Sequence, residues 1–268
     1  MNYTPNAREK LAIVLNNFEM FGVQRTVRDA LGYLLTRVSD NFDEKYGVST
    51  ELESAATEPL EPGLGDAVSI DNGHGYEPTQ ERVMRHILDY VRAHVDPTEF
   101  TFVDLGCGKG RAVLMASELP FREVIGVDIA PDLCKVAEQN VASYFRRSEN
   151  GTGGKNGIAG KKGTTQRRSG GAPRLQSKVT ITCADVTRYD FPETDLLVYM
   201  FNPFRGAVFR SALDRVAAFQ RRTGRRAYIA LSNPASEDQL ESHPAFTKEY
   251  EFQVIWSGSS WNFWCCRG

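Results

Sequence analysis

Between Asp104 and Gly110 the chain places glycine at every second position behind a carboxylate: Asp104, Gly106, Gly108, Gly110. Glycine adopts backbone conformations closed to other residues and lets the main chain approach a ligand closely, so this spacing describes a turn wrapped on a small molecule. Asp128 lies 18 residues beyond Gly110, near the roughly 20 at which an acid at the tip of a second strand grips ribose hydroxyls. Asp185, and then Asn202 with Pro203 and Phe204, each close an apolar run further along the chain. Cys107 inside the turn, Ile129 after Asp128 and Val186 after Asp185 share these positions. The chemistry suggested is the gripping of a nucleoside by carboxylates and backbone, with a polar amide nearby.

Elements must carry these residues to one place, and the apolar patterning supplies them. Phe100 to Leu105 and Arg122 to Asp128 are short apolar and β-branched runs, the pattern of buried strands. The stretch from Arg111 reads as a helix closed by Pro120, and strand, glycine turn and helix together begin a nucleotide-binding βαβ unit. Ahead of it, Thr79 is placed to cap a helix whose face is Val83, Met84, Ile87, Leu88 and Val91, with Glu81 in its first turn. Pro131 opens another helix, expected to turn Leu133, Val136, Ala137 and Val141 inward and to run to about Arg147. Strands follow over 178–184, 195–201 and 227–232, with a helix from Val208 that Gly224 ends. Glu249 to Trp256 and Ser260 to Cys266 read as a closing antiparallel hairpin, its tryptophans serving as packing.

A strand, glycine and acid unit fits two kinds of nucleotide protein. A nicotinamide dehydrogenase uses G-x-G-x-x-G with a helix N-terminus facing a pyrophosphate. Here the spacing is G-x-G-x-G, and Asp104 is badly placed for a pyrophosphate but well placed for a ligand carrying an amino group. The stretch from Asp104 to Gly110 resembles the signature of class I methyltransferases, which use S-adenosylmethionine (SAM). More narrowly, Gly47 to Thr50, the lead-in Tyr76, Pro78 and Thr79, the run Gly108 to Arg111 and the run Phe201 to Phe204 look like a group of bacterial methyltransferase-domain proteins of unassigned substrate. The Pro78 and Thr79 lead-in is also similar to small seven-strand protein-lysine methyltransferases.

The resemblance implies a three-layer α/β/α, doubly wound, mostly parallel seven-stranded sheet with an antiparallel C-terminal strand, and an N-terminal helical cap. SAM would be held by Asp104, Gly106, Cys107, Gly108, Gly110, Asp128 and Ile129, with Asp185 on the adenine amino group and the Val186 amide on the ring edge. Tyr76 and Thr79 would approach its methionine end. Many nitrogen-modifying members carry Asn or Asp, two prolines and an aromatic after the fourth strand. Asn202, Pro203 and Phe204 match this with one proline missing, implying that Asn202 holds an acceptor nitrogen while Phe204 supports it. The expected acceptor is a nitrogen on a small molecule or protein side chain. A SAM enzyme of other chemistry, a non-catalytic SAM-binding protein and a dehydrogenase would share parts of this pattern.

The rest of the chain sets bounds. With 268 residues, 41% hydrophobic and 25% charged, the composition is that of an ordinary globular protein. Residues 1–75 read as a helical cap, with two amphipathic helices over 5–38, and a linker; residues 76–268 read as the SAM domain. Within it, 148–174 holds eight glycines, several cations and Glu149 as its sole acid, the composition of a flexible basic insertion. A helix-to-strand connection lies opposite the ligand edge of an open sheet, and the segment has no interleaved aromatics to stack bases. With a net charge of −2, the expectation is against nucleic acid. No apolar run is long enough for a membrane span, no signal peptide pattern opens the chain, and five cysteines without metal-site spacing suggest reduced thiols in the cytoplasm. His74, flanked by Gly73 and Gly75, is the histidine nearest the expected cofactor edge.

Overall fold

A computed structural model describes residues 41–51, 77–151, 176–233, 236–253 and 260–267. The expected helices over 5–38, the linker and boundary near residue 75, Tyr76, His74, Trp256 and the basic insertion from 152 onward lie outside the described residues. Among those described, no helix is long and apolar enough to cross a membrane.

Helix α1 spans Phe42–Tyr46 and α2 Glu81–His94; the latter buries Val83, Met84, Ile87, Leu88 and Val91, the face that its spacing predicts. Strand β1 is Phe100–Leu105, followed by α3 Arg111–Ala116, β2 Glu123–Asp128, α4 Pro131–Gly151 and β3 Val179–Cys183. Then come β4 Asp195–Phe201, α5 Gly206–Thr223, β5 Ala227–Ser232, α6 Glu237–Glu241, β6 Phe246–Gln253 and β7 Ser260–Cys266. Gly224 ends α5 in the left-handed conformation, as the pattern predicts.

The seven strands form one sheet in the order β3-β2-β1-β4-β5-β7-β6. Strands β1 to β5 pair in parallel, while β7 runs antiparallel to both β5 and β6. A parallel sheet must be covered on both faces, because its crossover helices lie there. Every residue of β1 is accordingly buried. Phe100 and Phe102 point to the face carrying α2 and α3, while Val103 and Leu105 join Phe209 and Trp264 on the α5 face. Trp261 and Trp264 are both core residues, as expected.

The chain winds outward from β1 to β3 and then crosses back to place β4 on the other side of β1. In an open α/β sheet, ligands bind in the crevice at such a reversal, outside the carboxyl ends of the strands. That crevice lies between the ends of β1 and β4, where the glycine turn and Asn202 respectively begin.

Two expectations are corrected. Thr79 does not cap α2: the cap position is Gln80, which makes no side-chain cap bond. The inward stripe of α4 is Cys134, Ala137, Asn140 and Tyr144, with Leu133, Val136 and Val141 only half buried, and the helix continues to Gly151. A polar residue, Asn140, takes a core position there because partners outside the helix satisfy it.

Candidate functional site

Gly106, Gly108 and Gly110 all have positive φ, at 82°, 53° and 86°. The turn is tied to the tip of β2: the backbone N–H groups of Gly106 and Cys107 both donate to Val127 O, at 2.8 and 3.0 Å, and Gly110 N–H donates to Cys107 O at 2.8 Å. Pro203 and Phe204 close over it. A Cβ on Gly106 would collide with Pro203 Cβ and lie 3.6 Å from Phe204 Cε1. The motifs after β1 and β4 are therefore in contact at the switch point, and Phe204 is half buried against the α5-face core.

Asp128 anchors this arrangement. Its carboxylate accepts the N–H of Gly108 at 2.8 Å and of Ala130 at 2.9 Å. Burial raises its pKa, opposed by the N–H donors of Ala130, Gly108 and Ile129. Asp104, at the end of β1, is 3% exposed, and among the described residues it makes no hydrogen bond or ion pair. Burial, with the nearby Asp128 charge, pushes its carboxyl well above the usual carboxylate range. The Cys107 thiol is also pushed up, by burial and by both carboxylates.

Asp104 opens into a small cleft that Glu77, Thr79, Gly106, Arg111 and Phe201 also line. Thr79 is there because its hydroxyl shares a buried 3.1 Å hydrogen bond with the Tyr199 hydroxyl of β4. Asp185 lies one strand beyond Asp128, since Asp128 pairs with Cys183 at the β2–β3 edge. One of its carboxylate oxygens receives the Thr187 N–H at 2.8 Å and the Thr187 hydroxyl at 2.7 Å. Both Asp185 and Val186 are buried. Asn202 follows β4 with φ of 45°.

A further set of residues supports the turn from outside, and polarity patterning does not reveal it. Arg111 is 3% exposed; its Nε donates to Thr50 Oγ1 at 2.6 Å, with Asp43 Oδ1 at 3.4 Å, and its guanidinium lies 4.9 Å from the centre of the Phe42 ring. Lys109 donates to Glu51 O at 2.7 Å. Asn140 takes the Ser49 N–H at 2.8 Å and donates to Ser49 O and Lys109 O, both at 2.9 Å. Residues 41–51 thus form a strap lashed to the glycine turn and α4. The one sequence signal was the likeness of Gly47 to Thr50 and of Gly108 to Arg111 to the same group of proteins.

Of the histidines, His243 is buried, its Nε2 3.0 Å from Asp214 Oδ1 and its Nδ1 receiving the Ala245 N–H. It precedes the start of β6, level with the start of β5 through the Phe246–Cys266–Ala227 register, so it sits at the opposite sheet edge from the cleft.

No family model matches the chain. Two curated relatives, the ribosomal protein L11 methyltransferases of Ralstonia nicotianae and Ralstonia pickettii, are each 35% identical over 81 residues, which is 30% of this chain. The matched stretch spans 24% of the length of those relatives. Among solved structures, an RNA methyltransferase from Salinibacter ruber in complex with S-adenosyl-L-homocysteine is similar at 18% identity and a TM-score of 0.43, covering 71% of this chain and 94% of that one. A ribosomal protein L11 methylase from Lactobacillus delbrueckii subsp. bulgaricus is similar at 14% identity and a TM-score of 0.45, covering 78% and 84%. With six strands running one way, β7 set antiparallel between β5 and β6, and a left-handed glycine turn at the switch point, the chain has the Rossmann-like, mostly parallel seven-strand sheet that the resemblance of its motifs to class I methyltransferases implies.

Proposed function

We propose that this protein is a SAM-dependent methyltransferase acting on a nitrogen of a protein side chain. The observation that carries the cofactor reading is Asp104: a buried carboxylate that makes no hydrogen bond or ion pair among the described residues, in a cleft also lined by Gly106 of the left-handed turn. A carboxylate so placed repels a pyrophosphate and calls for a cation, which the amino group of a methionine moiety supplies. The donor set fits the group in other respects. Asp128 stands at the second strand's tip for the ribose, and Asp185 one strand further out for the adenine.

SAM would bring a methyl carbon activated by a sulfonium. The chain's own part is to hold and desolvate. Asp104 would orient the amino acid end, Asp128 the ribose, and Asn202 the acceptor nitrogen, with its carboxamide oxygen taking an N–H so that the lone pair faces the methyl group. Transfer from a sulfonium disperses charge, so alignment and water exclusion can supply much of the rate without a strong base. The names of the two curated relatives favour a protein acceptor over a small molecule.

Calorimetry with SAM and with S-adenosylhomocysteine tests the reading directly. Micromolar binding is expected in the wild type and a loss of at least about tenfold in Asp128→Ala, since hydrogen bonds to a charged group contribute roughly 1.5–3 kcal/mol. Equal affinity in that variant would remove the ribose assignment. Asn202→Ala should keep binding and lose turnover.

A further inference from the structure

Among the described residues, two that are not glycine have positive φ: Asn202 at 45° and Asn233 at 51°. Phe201 and Ser232 are the last paired residues of β4 and β5. The two asparagines therefore leave neighbouring strands at the same register level, side by side at the carboxyl edge, roughly 5 Å apart by ordinary strand spacing. Each precedes a proline in the sequence, Pro203 and Pro234. Asn233 is held by its backbone, whose N–H donates to Ser260 O at 2.7 Å, while its side chain is exposed.

Asparagine tolerates the left-handed region where its side chain bonds locally. Neither carboxamide makes a hydrogen bond among the described residues. A turn alone would be served with less strain by glycine, and strained non-glycine backbone concentrates where ligands are held. Two carboxamides without a hydrogen bond among the described residues thus stand beside the switch point on left-handed backbone.

Resting on the methyltransferase reading, we propose that Asn233 is a second acceptor-binding residue, and that it and Asn202 together receive two N–H groups of a primary amine, the chemistry of a lysine side chain. Two carbonyl oxygens from adjacent strands fix two N–H bonds and leave the nitrogen lone pair directed at the methyl carbon. The amine enters neutral. Its lone pair forms the new N–C bond as the C–S bond breaks, sulfur keeps that electron pair, and the methylated nitrogen then releases one proton to water. A polyanionic acceptor would want free cations here, but Lys109 is committed to Glu51 O and Arg111 to Thr50 and Asp43.

The test compares wild type with Asn233→Gly, which keeps the left-handed backbone and removes the carboxamide. The probes are Nα-acetyl-lysine amide and adenosine at pH 9 with radiolabelled SAM, read by S-adenosylhomocysteine release and product mass. Methylation of the lysine amide is expected, with kcat/KM reduced about tenfold or more in Asn233→Gly, the effect of one lost hydrogen bond to the acceptor. S-adenosylhomocysteine affinity and Tm should not fall. Full activity of Asn233→Gly would show a turn residue and overturn the proposal. So would methylation of adenosine alone, or product from neither acceptor. Failure of the wild type to bind S-adenosylhomocysteine would instead overturn the underlying methyltransferase reading, and this proposal with it.

Discussion

Pro203 lies against Gly106 so closely that a Cβ on the glycine would collide with the proline ring. The contact joins the turn after β1 to the segment after β4, the two sides of the switch-point crevice. Asn202 immediately precedes Pro203, so the residues proposed for cofactor and for acceptor meet at this contact.

Gly106→Ala is therefore expected to be costly twice over. Its φ of 82° is unfavourable for any residue with a Cβ, at about 1–3 kcal/mol, and crowding against Pro203 adds about 1–3 kcal/mol. A loss of roughly 3 kcal/mol corresponds to a Tm lower by about 10 °C for a chain of this size. Differential scanning calorimetry reads it, and an unchanged Tm would mean that Pro203 yields freely.

On the proposed function, Asp104 trades stability for binding. Its folded-state pKa is raised, by burial first and then by Asp128, so between the unfolded value and the folded one the native state holds the extra proton. Stability accordingly falls as pH rises through that window and levels off above it. Asp104→Asn removes the ionisation. The variant should exceed the wild type in stability at pH 7, and the difference should vanish below about pH 4, where the carboxyl is protonated in both states. Its affinity for S-adenosylhomocysteine should fall. Urea titrations from about pH 3 to pH 8 check the first part; a variant less stable than wild type at pH 7 would contradict it.

Most of this fold is legible in the sequence because its signals are local. Buried parallel strands appear as unbroken apolar runs, and the three glycines at alternate positions mark a backbone that only glycine enters cheaply, as all three φ values bear out. What is not legible is set by distant partners. Thr79 has the residue type of a helix cap, yet its hydroxyl goes to Tyr199 on β4. Asn140 breaks the apolar stripe of α4 because Ser49 and Lys109 satisfy it. Arg111 is buried between the glycine turn and residues 41–51, a segment with no periodicity to announce its packing.

The Thr79–Tyr199 bond gives a second stability test. Thr79→Val deletes one partner and leaves a buried phenol unsatisfied, for about 1–3 kcal/mol. Tyr199→Phe leaves the threonine hydroxyl behind in the same way. The double variant removes both, so the cycle should show a coupling of about 1 kcal/mol, measured by urea unfolding. Additive losses would show that the hydroxyls do not interact.

The strap over residues 41–51 yields the sharpest separation of stability from function. Asn140 makes three hydrogen bonds from a buried position, two to Ser49 and one to Lys109 in the glycine turn. At about 1 kcal/mol each, plus desolvation of the groups left behind, Asn140→Ala should cost roughly 3 kcal/mol. If the strap merely covered the core, the folded variant would bind S-adenosylhomocysteine as tightly as wild type. The Lys109 carbonyl lies within the turn that Asp128 also holds through Gly108, so loosening one end loosens the other. The expected result is an affinity several-fold weaker by calorimetry at a temperature where the variant is fully folded, together with earlier proteolytic cleavage near Ser49. Unchanged affinity in the folded variant would confine the strap to a structural role.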